Sequence, residues 1–211
     1  MARDTAEWRA RPADIRFVID QASRWNRSDT DLRGRIDLER VGVLGHSYGA
    51  YTALAAAGAR VQVAGVSSDF SDPRVDAMVA LSPSGPGGWG WFSETSYQSV
   101  DVPALLVTGS QDTMTDWQSG SWRKQAFDLM SPGPRYCLWL EGATHLDFAD
   151  LPLASQRAAT VHRIVETMTA LFFEAHLKQD PVARKALQNA ARAAALAGPA
   201  IPELQWYTKG G

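Results

Sequence analysis

A five-residue turn with a serine at its centre constrains the fold of this chain more than any other feature. Residues 45–49 read GHSYG, and they follow a short apolar run that begins at Val41. An Ala-rich stretch, residues 50–57, comes directly after them. The order predicts a strand, a sharp turn and a helix, with Ser47 at the apex of the turn.

This pattern is the G-x-S-x-G nucleophile elbow, in which a strained turn holds the serine hydroxyl clear of the backbone. Gly45 and Gly49 lack a Cβ, which would let the strand and the helix pass close together. The backbone N–H of Tyr48 follows the serine near the helix N-terminus, where it could donate to a developing oxyanion. Although so short a motif can occur by chance, the strand before it and the helix after it favour Ser47 as a nucleophile.

Composition sets the outer limits on the class of protein. The chain has 211 residues, of which 45% are hydrophobic and 21% charged, as in an ordinary globular protein. We expect one domain over residues 1–211, with a core from about 11 to 177 and a C-terminal helix and tail over 178–211. The single cysteine, Cys137, lies in an apolar run and is interpreted as buried packing rather than a nucleophile.

Charge and hydropathy exclude several partners. The net charge is -2 and no basic cluster stands out, so no nucleic acid partner is expected. No apolar run is long enough to predict a membrane span. The N-terminal residues are charged and lack the apolar core of a signal peptide. These observations leave the localisation open.

Apolar runs alternate with helical patterns along the rest of the chain. This alternation predicts an α/β fold, a mostly parallel sheet flanked by helices on both faces. The predicted strands are 41–45, 74–81, 103–109 and 135–140, with a short one over 61–66. The predicted helices are 11–26, 50–58, 117–130, 154–177 and 181 to about 196, and residues 198–211 are interpreted as an irregular tail.

Polar residues at the carboxyl ends of these strands indicate the site, because ligands bind there in parallel sheets. Ser47 follows the first strand, Asp112 the strand 103–109, and His145 the strand 135–140. The order Ser, Asp, His is that of a serine hydrolase triad on a parallel sheet. In such a triad His145 takes the serine proton, and Asp112 orients and stabilises the imidazolium.

Other histidines and aspartates remain candidates. His162 and His176 lie within a predicted helix, where packing or solvation is the default, and His46 is interpreted as structural. Asp116 is the second candidate for the acid. Asp147 and Asp150 are expected to cap a turn or face solvent.

A loop rich in aromatic residues, 82–101, is expected near the site. Trp89, Trp91 and Phe92 could form the wall of a substrate pocket, or they could simply pack onto the core; the sequence does not decide between the two. The triad needs neither a metal nor a cofactor, and the His and Asp spacing shows no metal-ligand pattern.

Four sequence blocks resemble the α/β-hydrolase superfamily, and within it the branch of dienelactone hydrolases and bacterial platelet-activating-factor acetylhydrolases. They are GRIDLERVGVLGHSYGAYTAL, DPRVDAMVALSPS, VDVPALLVTGSQDT and CLWLEGATHLDFAD, within a resemblance that covers about residues 11–177. It implies a serine esterase that acts on small carboxylic esters, with Ser47, Asp112 and His145 as its triad. A serine rather than a cysteine nucleophile favours the esterase members of the branch.

The same resemblance implies that the N-terminal strands of the fold, whose loop supplies the second oxyanion donor, are absent. The elbow strand would then be a sheet edge with unpaired backbone groups, through which copies of the chain could self-associate. Two other functional hypotheses stay open. One is an inactive partial domain; the other is a prolyl-oligopeptidase-type peptidase, because the segment HSYGAYTA also resembles the elbow of those enzymes. The segment GATHLDF and the lack of a propeller domain argue against the peptidase.

Overall fold

A five-stranded sheet with helices on both faces organises the computed structural model, which describes residues 5–88, 91–115, 118–149, 156–189 and 204–210. The helices are α1 (Thr5–Ser28), α2 (Tyr48–Ala56), α3 (Gly120–Asp128), α4 (Gln156–His176) and α5 (Pro181–Leu187). The strands are β1 (Val41–His46), β2 (Val61–Val63), β3 (Val66–Ser68), β4 (Val75–Leu81), β5 (Ala104–Gln111), β6 (Arg135–Thr144) and β7 (Leu204–Lys209). Short 3₁₀ turns occupy Ser96–Ser99 and His145–Phe148.

The sheet has the strand order β1-β4-β5-β6-β7. The first four of these strands are parallel, and β7 pairs antiparallel with β6. The predicted α/β fold with a mostly parallel sheet is therefore confirmed. The predicted short strand at 61–66 is instead a separate hairpin of β2 and β3.

Two apolar layers cover the sheet, because successive residues of a strand face opposite sides. In β4, Met78 and Ala80 face a cluster that includes residues of α1, α2 and α3, whereas Ala77 and Val79 face a cluster built with α4 and α5. Cys137 is fully buried in the first cluster, and burial raises the pKa of its thiol to about 12. It therefore packs as an apolar side chain and is not a thiolate nucleophile.

Helix α1 differs from its prediction, since it begins at Thr5 and encloses Pro12 rather than starting there. Proline has no N–H to donate to the carbonyl four residues earlier, which here belongs to Trp8. The hydroxyl of Tyr51 donates to the Trp8 carbonyl at 3.0 Å instead. A side chain of α2 thus satisfies the acceptor that the proline leaves open.

The C-terminal residues also differ from their prediction. Helix α5 ends at Leu187 rather than near residue 196. Residues 204–209, predicted to be an irregular tail, form β7. The indole N–H of Trp206 donates to the Leu187 carbonyl at 2.8 Å and so ties β7 to the end of α5.

Strand β1, which leads into the elbow, lies at the outer edge of the described sheet and pairs with β4 alone. Leu44 on this strand is 51% exposed, and Phe17 and Val18 on α1 are also exposed. The predicted edge position of the elbow strand is confirmed for the described residues. Among those residues, no helix combines the length and apolar character that crossing a bilayer requires.

Candidate active site

The elbow has the strained geometry that its motif predicts. Ser47 has φ 55° and ψ −111°, a region that residues other than glycine seldom occupy. Its N–H donates to the Leu81 carbonyl at 2.9 Å, which fixes the turn to the end of β4. A Cβ added at Gly45 would lie 2.1 Å from the Gly49 carbonyl oxygen, so no side chain fits at Gly45.

The close approach of strand and helix does not require a glycine at position 49, contrary to the prediction. A Cβ added at this position would meet nothing within 4 Å. The close approach of β1 and α2 depends on the missing side chain of Gly45 alone. The expectation for Gly49 was therefore wrong on steric grounds.

The structure brings Ser47, His145 and Asp112 together. The Ser47 Oγ lies 2.9 Å from Nε2 of His145, and Nδ1 of the same ring lies 2.8 Å from Oδ1 of Asp112. His145 is 5% exposed and Asp112 is completely buried. The three side chains form a continuous hydrogen-bonded chain with the hydroxyl at its accessible end.

Two residues that sequence reasoning missed hold the Asp112 carboxylate. The Thr108 hydroxyl donates to Oδ2 at 2.8 Å, and Nε of Arg123 lies 3.0 Å from Oδ1. Thr108 is hidden within the apolar run of β5, and Arg123 belongs to a helix whose charged residues suggest a solvated face. Burial lowers the pKa of Arg123, although the Asp112 charge partly opposes this shift.

The loop that carries His145 is fixed by its own cap. The Asp147 carboxylate accepts hydrogen bonds from the Thr144 N–H and hydroxyl, each 2.8 Å long, and from Arg157 at 2.8 Å. Burial opposes ionisation of Asp147, but these bonds hold the pKa of its carboxyl below the ordinary value. Of the two alternatives predicted for Asp147, the structure shows the capping role and not exposure to solvent; Asp116 and Asp150 lie outside the described residues.

The remaining histidines take structural positions. Nε2 of His46 lies 3.2 Å from the His145 carbonyl oxygen, and the two rings are 4.8 Å apart. Burial, followed by the proximity of His145, lowers the pKa of His46 to about 4, so its ring is neutral at neutral pH. Nε2 of His162 lies 3.2 Å from the Ala149 carbonyl oxygen. His176 packs against Tyr136, and burial lowers its pKa to about 4.

An open cleft of about 590 Å³ lies beside His145. Its walls are formed by the carboxyl ends of β5 and β6 and the residues that follow them, and two of the lining residues, Met114 and Leu146, are apolar side chains more than half exposed. No pattern in the sequence predicted this cleft. The complete lining is Ser110, Gln111, Thr113, Met114, Thr144, His145 and Leu146.

Trp91 and Phe92, two of the three aromatic residues predicted to line a pocket, take different positions. Trp91 stacks on Tyr48, the residue that follows Ser47, with ring centroids 5.2 Å apart. Phe92 is 1% exposed and packs on Tyr51, so it belongs to the core rather than to a pocket wall. Trp89 lies outside the described residues.

The described residues include no group of three or more His, Cys, Asp or Glu side chains arranged to hold a metal ion. What they present is a serine held on a strained turn, with an imidazole in reach of its hydroxyl and a buried carboxylate behind the imidazole. A parallel sheet with this elbow is the architecture of an α/β-hydrolase.

The chain belongs to the PET hydrolase-like family, whose sequence model matches residues 3–173. It is 30% identical to Cutinase 1 of Thermobifida cellulosilytica over 121 residues, which are 57% of this chain and 38% of that protein. It is 32% identical to a bis(hydroxyethyl) terephthalate hydrolase of Streptomyces coelicolor over 118 residues, which are 55% of this chain and 31% of that protein. The match thus spans only about a third of the length of these relatives. The narrower resemblance to dienelactone hydrolases is not confirmed.

Proposed function

We propose that this chain is a serine hydrolase that cleaves carboxylic esters through an acyl-enzyme intermediate. One observation carries the proposal: the 2.9 Å contact between the Ser47 hydroxyl and His145, with Asp112 bonded to the opposite nitrogen of the ring. Membership of the PET hydrolase-like family supports it. So do the relatives named cutinase and bis(hydroxyethyl) terephthalate hydrolase.

Acylation begins when the Ser47 oxygen attacks the ester carbonyl carbon and Nε2 of His145 takes the hydroxyl proton. The carbonyl oxygen becomes an oxyanion, and the Tyr48 N–H, the first of α2, is the donor proposed to stabilise it. As the tetrahedral intermediate collapses, the imidazolium gives its proton to the leaving alkoxide. Asp112 stabilises the imidazolium throughout.

Deacylation repeats these steps with water as the nucleophile. His145 removes a proton from water as the water oxygen attacks the acyl carbon; the bond between that carbon and the Ser47 oxygen then breaks, the carboxylic acid leaves, and the imidazolium returns the proton to the Ser47 oxygen. The neutral ring of His46 packs beside His145 without competing for this proton, because burial keeps the pKa of His46 low. One imidazole therefore serves as acid and base in both halves of the reaction.

The cleft beside His145 suits an ester with apolar groups. Met114 and Leu146 offer exposed apolar surface next to the base, while Ser110 and Thr144 add polar groups. We propose that the cleft holds one end of the substrate, and that Trp91, stacked on Tyr48, flanks the other side of the nucleophile. Bis(hydroxyethyl) terephthalate, the substrate that one relative is named for, is a suitable first aromatic diester to test.

The proposal is tested by hydrolysis of a short-chain p-nitrophenyl ester together with labelling by a fluorophosphonate, which reacts with an activated serine. We expect turnover, and one phosphonyl adduct located at Ser47 by mass spectrometry. Ser47→Ala should abolish the adduct and lower kcat by at least about 10³-fold. A matched control is Ser131→Ala, because Ser131 bonds to the Gln98 carbonyl at the amino end of the sheet.

Retention of ester turnover by Ser47→Ala would disprove the assignment of the nucleophile. A folded wild-type chain that neither turns over the ester nor takes the label would instead support an inactive partial domain. Turnover of a peptide p-nitroanilide in preference to the ester would favour a peptidase. Each of these outcomes is distinct from the one that we expect.

A further inference from the structure

Arg123 is an arginine buried directly behind the proposed catalytic acid. It lies on α3 and is 3% exposed. Its Nε donates to the Asp112 backbone carbonyl at 2.9 Å and lies 3.0 Å from Oδ1 of the same residue. Its Nη1 donates to the carbonyls of Ser82 and Pro83, each at 3.1 Å. One guanidinium thus joins the loop after β5 to the end of β4.

Stability alone is a weak reason for placing an arginine here. Removing a guanidinium and a carboxylate from water costs several kcal/mol, and well-packed apolar residues of similar volume are often as stabilising or more so. What the ion pair provides and an apolar pair does not is a carboxylate with fixed orientation and compensated charge. A triad acid needs both properties.

The contacts of Asp112 show how the orientation is fixed. Oδ2 accepts from Thr108, and Oδ1 is shared by Arg123 and His145. The carboxylate is therefore held on two sides before it meets the imidazole. Arg123 also donates to the Ser82 carbonyl, and the carbonyl of the preceding residue, Leu81, accepts from the Ser47 N–H. The two ends of the proposed triad are thus tied to the same strand end.

We propose that Arg123 is a positioning residue, which fixes the Asp112 carboxylate for its hydrogen bond to His145 and compensates its buried charge. The inference rests on the proposed ester hydrolysis, and it adds a residue that contacts neither the substrate nor the reacting atoms. Without the guanidinium, Asp112 keeps its bond to Thr108 but loses two of the contacts that orient its loop. The imidazole then has a less well placed acceptor.

Arg135 provides a matched control at the other end of the sheet. It lies at the start of β6, is 2% exposed, and donates to the carbonyls of Val100 and Val102, which precede β5. It shares with Arg123 its residue type, its burial and its binding of backbone carbonyls. It differs in that its guanidinium hydrogen bonds go to Val100 and Val102, at the amino end of the parallel strands, and not to Ser47, Asp112 or His145.

The experiment compares Arg123→Met, Arg123→Lys and Arg135→Met. Urea unfolding measures stability, and hydrolysis of a short-chain p-nitrophenyl ester gives kcat and KM separately. Proton NMR follows the low-field signal of the His145 Nδ1–H, assigned by its loss in His145→Ala. This signal reports the hydrogen bond to Asp112 whether or not the chain turns over an ester.

We expect Arg123→Met to lower kcat by about 10–100-fold with KM changed less than about threefold, and to shift or broaden the low-field signal. Arg123→Lys keeps the charge and should recover part of kcat; it is also the variant that decides the question if Arg123→Met does not fold. Arg135→Met should lose stability while its kcat and low-field signal stay near those of the wild type.

Two results would overturn the proposal: an unchanged low-field signal in a folded Arg123 variant, or losses of kcat in Arg123→Met and Arg135→Met that follow their losses of stability equally. Absence of ester turnover in the wild type would count against the proposed function. In that case the NMR signal alone would still decide whether Arg123 positions Asp112.

Discussion

Two buried aspartates, Asp72 and Asp112, occupy opposite ends of the same sheet. Asp72 precedes β4 and Asp112 follows β5, and each is paired with an arginine. Asp72 accepts three hydrogen bonds from Arg74, through its backbone N–H, Nε and Nη2. Asp112 shares its carboxylate between Arg123, Thr108 and a histidine.

The two carboxylates differ in the other groups that they contact besides their arginines. In the part of the chain that the structure describes, the Asp72 carboxylate pairs with two permanent cations: Arg74, which also binds Asp20, and Arg16 at 3.7 Å. Asp112 meets one group whose charge can change during a reaction, His145. Similar burial and similar charge pairing therefore give a structural ion pair at one end of the sheet and a proposed catalytic acid at the other.

The sharpest test of this contrast is Asp112→Asn. We expect kcat for a short-chain p-nitrophenyl ester to fall by about 10³–10⁴-fold, because an amide neither stabilises the imidazolium nor selects the required tautomer. The measurement is steady-state kinetics at a temperature at which circular dichroism shows the variant to be folded. Arg123 would be left as a buried charge without its carboxylate, so the variant should also lose stability. A kcat within about tenfold of the wild type would exclude Asp112 as the acid.

Asp72→Asn should have the opposite profile. It removes a carboxylate that joins α1 to the start of β4, so the free energy of unfolding should fall by about 1–3 kcal/mol. The value of kcat should stay within about twofold, because Asp72 lies at the amino end of the strands. Urea unfolding and the same ester assay provide the comparison. A large loss of kcat in a folded Asp72→Asn would break the contrast.

The stability that Asp72 contributes should depend on pH in a defined direction. Hydrogen bonds from Arg74, opposed in part by burial, lower the pKa of the Asp72 carboxyl from its ordinary value of 3.8. A carboxyl with a lowered folded-state pKa stabilises the fold fully above its unfolded pKa and loses that effect as the pH falls through the folded value. The difference in unfolding free energy between wild type and Asp72→Asn should therefore be constant near pH 7 and shrink below about pH 4. A difference that grows on acidification would contradict this assignment.

Thr108→Val should have a smaller effect on kcat than Asp112→Asn. It removes the donor to Oδ2 of Asp112 but leaves Arg123 in place, so kcat should fall by about tenfold. Ester kinetics measure the loss, and Thr52→Val, which removes a hydroxyl bonded to the Tyr48 carbonyl within α2, is a comparison outside the triad. A loss as large as that of Asp112→Asn would mean that Thr108, rather than Arg123, is the main support of the carboxylate.

The sequence was most informative where a short local motif, or a position at the end of a predicted strand, identifies a functional residue. Ser47 could be predicted because the elbow is a local motif, and His145 because it follows a buried strand at the correct end of the sheet. The predictions of the parallel strands depended on continuous apolar runs, which are distinctive in chains of this length. Local pattern and global fold agree at these positions.

Prediction failed where the partner of a residue is remote in sequence. Arg123 resembles any charged residue of a surface helix until Asp112 is placed beneath it. Strand β7 follows a segment that contains Gly198, Pro199 and Pro202 and is itself followed by two glycines, and it forms because β6 offers it an edge. Pro12 is tolerated inside α1 because Tyr51, 39 residues away, supplies the missing donor. These contacts join residues that are far apart in sequence, so no pattern within one segment predicts them.

The edge position of β1 gives the proposed nucleophile an unusual dependence on local stability. A strand that pairs on one side only has fewer hydrogen bonds to break when it opens, and its amides exchange with solvent at a lower free-energy cost than those of β4 or β5. Ser47 follows the last residue of this strand, so we expect the fraction of molecules with an intact Ser47–His145 contact to depend on how often the edge opens. Anything that binds along β1 would raise that fraction by mass action, without contacting the serine itself.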